Sequence, residues 1–81
     1  MRFHPIHPSI VDLYINTLTL HLLQEELGRI GPNGLTDELR ENVDVASSSF
    51  AISARTAEQL FGSSDAVQAQ LNIFTGNMGD A

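Results

Sequence analysis

The chain has 81 residues, 42% of them hydrophobic, with ten acidic and four basic side chains, a net charge of -6 and no cysteine or tryptophan. This length leaves room for one domain only, since units below about 50 residues rarely stand alone, and without cysteine there are neither disulfides nor thiolate metal sites. The acidic balance repels phosphate backbones and argues against nucleic acid as a partner, while 17% charged residues is too sparse an array for a mimic of DNA.

Small size poses an energetic problem. A chain this short buries only about 60 to 65% of its unfolded surface, and ordering it costs roughly 1.5 kcal/mol per residue. With no covalent staple, the remaining sources of stability are tight helix packing and burial against another chain. The charge is also uneven. Residues 1–35 hold three acids against two arginines, and residues 36–81 hold seven against two, so the second half is the more solvated or meets a basic surface.

Residues 1–8 (MRFHPIHP) contain two X-Pro steps, which drive His4 and His7 towards extended backbone. This segment reads as an extended arm, with Phe3 and Ile6 either lying along a neighbouring groove or belonging to a partly ordered terminus. It lacks the apolar core and small-residue cleavage site of a secretory peptide. The apolar stretch from Ile10 to Ile30 is interrupted by Asp12, Asn16, His21, Gln24, Glu25 and Glu26, which a bilayer centre would exclude. The expectation is a cytoplasmic protein with no membrane contact.

Helix 1 is predicted over residues 9–30, capped by Ser9 and stopped by the turn at residues 31–35, Gly31-Pro32-Asn33-Gly34-Leu35. At 100° per residue it carries two apolar stripes. One holds Ile10, Val11, Tyr14, Ile15, Leu18 and Leu22, and the other holds Leu13, Leu20, Leu23 and Leu27. A surface helix needs one apolar face, so two faces imply cover from both sides, supplied by the chain itself or by another chain.

Helix 2 is predicted over residues 36–61, with Thr36 as cap, Asp37 and Glu38 against the positive end of the helix dipole, and Gly62 as terminator. Leu39, Val43, Ala46, Phe50, Ala54, Ala57 and Phe61, joined by Ser53 and Leu60, form one stripe. A rival reading makes residues 43–54 a short hairpin, because Val43-Asp44-Val45 and Phe50-Ala51-Ile52 alternate around three serines. The many small residues from Ala46 to Ala57 give this helix slim faces that suit a Leu-rich neighbour. Helix 3 is predicted over residues 63–76, with Val67, Leu71, Phe74 and Met78 on one face, Ala66, Ala69 and Ile73 on another, and a frayed tail at residues 77–81. The fold expected is all-α: a long helical hairpin and a short third helix, completed by oligomerisation.

Little here suits catalysis. His4 and His7 lack further ligands for a metal, and His21, one turn from Thr17 and Glu25, reads as a boundary residue. The carboxylates of Asp37, Glu41 and Asp44 share a solvent face with Arg40. The glycines form no phosphate loop, and no serine sits in a nucleophile elbow. No catalytic, cofactor-binding or metal-binding residue is expected, and no small-molecule substrate.

The function expected is a non-enzymatic protein-protein interaction module. In this reading it is a self-associating structural or adaptor subunit whose interface is Leu13, Leu20, Leu23 and Leu27. The alternative is a small acidic inhibitor or regulator, of phage or plasmid type, that binds a larger protein. A helix-turn-helix DNA binder ranks below both, since the helices are too long and no cluster of basic residues is present.

Overall fold

Helix α1 (Pro8–Ile30) begins one residue before the serine expected to cap it. The cap is His7, in extended backbone, whose Nδ1 accepts the Ser9 N–H at 3.1 Å and lies 2.9 Å from Ser9 Oγ. Pro8 then occupies the first helical position, where a missing N–H costs nothing and the fixed φ is already helical. The computed structural model describes residues 5–79, with side-chain surroundings for residues 5–76. Of the expected arm, residues 1–4, including Phe3 and His4, lie outside the described residues. The rest of it is tied down: Ile6 packs against the core, and the His7 ring meets Phe61 edge-on at 6.0 Å.

Helix α1 ends at Gly31, whose φ of 73° belongs to the left-handed region and whose N–H bonds the Leu27 carbonyl at 3.1 Å. A single 3-10 turn (Pro32–Gly34) leads to Thr36, whose hydroxyl accepts the Leu39 N–H at 3.1 Å and starts helix α2 (Asp37–Phe61). Helix α2 is continuous over 25 residues, and the alternative hairpin at residues 43–54 is not formed. Its polar side chains fit a helix: Ser53 donates to the Phe50 carbonyl at 3.0 Å and Thr56 to the Ile52 carbonyl at 2.9 Å, so the hydroxyls are satisfied within their own turns. Gly62, at φ 91°, closes α2 in the left-handed conformation.

Ser63 caps helix α3 (Ser64–Gly79) by accepting the Ala66 N–H at 3.1 Å. This helix passes the stop expected at Gly76 and runs to Gly79, so the expected frayed tail is helical at residues 77–79, while residues 80–81 lie outside the described residues. A glycine inside a helix costs only about 1 kcal/mol relative to alanine and does not by itself terminate one. Among the described residues there are three α-helices and no strand, which is the small all-α bundle expected.

The core is off-centre. Ile10, Leu13, Ala57 and Val67 are buried together, ringed by half-buried Phe50, Ala54, Phe61, Leu71 and Phe74. Tyr14 meets Phe74 edge-on at 5.2 Å. All of these lie where α1 begins, α2 ends and α3 turns back. In the remainder of the hairpin, residues 18–48, Ala46 is the one buried residue. The molecule measures 48 × 29 × 17 Å with a radius of gyration of 15.1 Å, against about 12 Å for a compact chain of this length. It is a flat structure, three helices thick at one end and two at the other.

Candidate interaction surface

The two stripes of α1 have different fates. Leu13 is part of the buried core, and Leu20, Leu23 and Leu27 are half-buried on the side that faces α2, where Leu23 meets a groove lined by Val45, Ala46 and Ser49. Of the four leucines expected at an interface with another chain, Leu13 is taken up by the core, while Leu20, Leu23 and Leu27 keep part of their surface. The other stripe divides. Ile10 enters the core and Tyr14 packs on α3, but Ile15, Leu18 and Leu22 are 54%, 43% and 62% exposed. These three side chains form the open aliphatic face of α1.

The reason lies in the shapes that meet. Helix α2 offers its slim side, with Ala46, Ser53 and Ala57 all buried, and Ile10 and Leu13 of α1 pack with Ala57 in the core. Asn16 fixes the pairing from the edge: its side-chain amide donates to the Ser49 carbonyl at 3.4 Å, while Asp12 lies one turn back at 3.5 Å. In the sequence Asn16 stands out only as one of the polar residues that interrupt the apolar stretch of helix 1. Its partner is a backbone carbonyl 33 residues away, for which no side-chain signal exists.

Beside this contact runs a shallow groove of about 340 Å³ between α1 and α2, lined by Ser9, Asp12, Asn16, Ser49, Ile52, Ser53 and Thr56. Its chemistry is one carboxylate, one amide and several hydroxyls. The nearest acid-base pair is His7 with Ser9, but the imidazole Nδ1 is the acceptor that caps α1. His21 lies 2.7 Å from Glu25 on the exposed side of α1. Among the described residues no group of three or more metal-binding side chains converges, and no buried side-chain polar atom lacks a hydrogen-bond partner.

The chain exposes 5810 Å², more than the roughly 4,800 Å² typical of a folded monomer of its mass, in keeping with its elongated 48 × 29 × 17 Å shape. Exposed Val45, Ile52 and Leu60 on α2 add to the open face of α1. No described helix is long and apolar enough to cross a membrane. Comparison with protein-family models, with curated proteins and with solved structures finds no match, so the functional reading rests on these side chains.

Proposed function

We propose that the chain is a non-enzymatic helical association module that pairs with a second copy of itself through Ile15, Leu18 and Leu22 of α1. The observation that carries this is the open aliphatic face itself: Ile15, Leu18 and Leu22 are 54%, 43% and 62% exposed along one side of α1, beside a stretch of the hairpin where Ala46 is the one buried residue. Three aliphatic side chains per copy, each already about half covered, support a weak interface, with dissociation in the range of roughly 10 µM to 1 mM.

Sedimentation equilibrium tests the reading. The unmodified chain is expected to show reversible, concentration-dependent dimers, and Leu22→Asp is expected to remain monomeric with unchanged helicity, because the position is exposed in the free chain. By contrast, Leu20→Asp, half-buried on the α2 side, is expected to reduce helicity as well. A strict monomer up to about 1 mM, the weak end of the affinity range above, would rule self-association out.

A second reading, the acidic regulator of another protein, has its own observation: α2 exposes Asp37, Glu38, Glu41 and Asp44 on its first two turns. Salt separates the two. Two copies that each carry -6 repel one another, so an aliphatic contact between them tightens as salt screens the charge. Docking of the acidic α2 surface onto a basic partner weakens under the same change.

A further inference from the structure

The open face of α1 has a periodicity and a charge order that specify how two copies meet. Half-buried Val11 and the exposed Ile15, Leu18, Leu22, Glu25 and Arg29 follow one another at intervals of four, three, four, three and four residues. That is the spacing of a two-helix seam, and at 100° per residue the six directions fall within an arc of about 80°. The seam is aliphatic in its first four positions and charged in its last two, so the two ends of the helix are not equivalent.

We propose, building on the self-association argued above, that the copies pair antiparallel along α1, with Leu18 of each opposite Leu22 of the other. In a parallel pair, every charged position would face its own copy: Glu25 against Glu25, Arg29 against Arg29, and the flanking Asp12 carboxylates side by side. Such facing like charges disfavour an interface. The antiparallel register removes all three contacts. It sets Ile15 opposite Glu25 and Val11 opposite Arg29, whose guanidinium then reaches Asp12, the exposed neighbour of Val11. Arg29 already pairs with Glu26 on its own helix, and a guanidinium with five donors can hold a second carboxylate. Its aliphatic stem covers Val11 while its charged head stays at the rim. The two-fold axis passes between the Leu18 and Leu22 layers, so both aliphatic centres are covered at once.

The chain has no cysteine, which allows a clean cross-linking test with Val11→Cys and Arg29→Cys. Along an antiparallel seam, like positions 11 and 11, or 29 and 29, lie about 27 Å apart, well beyond disulfide reach, while 11 and 29 face each other. Under mild oxidation an equimolar mixture of the two variants is expected to form the mixed disulfide at least roughly tenfold faster than either variant alone forms its own. Fast homodimer cross-linking by Arg29→Cys alone would overturn the antiparallel arrangement in favour of a parallel one. If no variant cross-links while both variants and the unmodified chain sediment as dimers, this seam is wrong and self-association through some other face stands. If the unmodified chain is monomeric throughout, both the seam and the self-association fail.

Discussion

An Ile10→Ala variant is expected to lose about 2 to 5 kcal/mol of stability, the range for emptying a well-packed aliphatic site. Ile10 is the only large side chain that is fully buried among the described residues, and it sits where α1, α2 and α3 meet. A domain of this size has a total stability of about 4 to 12 kcal/mol, so the loss is a large share of it. Thermal unfolding followed by helical circular dichroism is expected to show a fall in midpoint of at least about 10 °C. The control is Leu22→Ala, at an exposed position of the same helix, expected to change monomer stability by no more than about 0.5 kcal/mol. The comparison should be run at a concentration where the chain is monomeric, since association adds apparent stability by mass action. Equal midpoints for the two variants would mean that α1 is not anchored at the Ile10 end.

The asymmetry behind that contrast also marks what was legible in the sequence. The stripe of helix α2 was legible, although its alternation left a hairpin open at residues 43–54: Leu39, Val43, Ala46, Phe50, Ala54, Ala57 and Phe61 are all buried or half-buried. The exception is Leu60, which lies at the edge of that stripe and is exposed. The Thr36 cap and the Gly62 stop follow from local chemistry and needed no tertiary information. Helix α1 was read only in part. Both stripes have helical period and aliphatic content, so periodicity shows two faces without saying which one the chain itself covers. That choice depends on the slim side of α2 and on the Asn16 contact with Ser49, which joins residues 33 apart. It depends equally on α3, which covers Ile10 and Tyr14 but leaves Leu18 and Leu22 open. The start of α1 shows a related limit: Ser9 has the chemistry of a cap, but proline at position 8 favours starting the helix one residue earlier and passes the capping role to His7.

Small residues in α2 are as decisive as large ones in α1, and Ala57→Leu is expected to show it. Ala57 has no exposed surface and belongs to the same buried cluster as Ile10, Leu13 and Val67. Leucine at this position adds three carbons to space already occupied, so the helices must separate or the side chain must leave its preferred rotamer. Overpacking of this kind costs about 1 to 3 kcal/mol and sometimes more. Alanine and leucine are both strong helix formers, so propensity contributes little to the difference. Ala51→Leu is the matched control, with the same chemical change on the exposed side of the same helix, and it is expected to leave the unfolding midpoint nearly unchanged. If the core is as tight as the burial of Ala57 implies, Ala57→Leu unfolds at lower denaturant concentration than Ala51→Leu. It also speeds amide exchange first in α3, the shortest helix, whose attachment to the other two passes through Val67, Leu71 and Phe74. Identical denaturation curves would mean that the three-helix end has room to spare, and the contrast between a closed end and an open end, on which the association surface depends, would have to be abandoned.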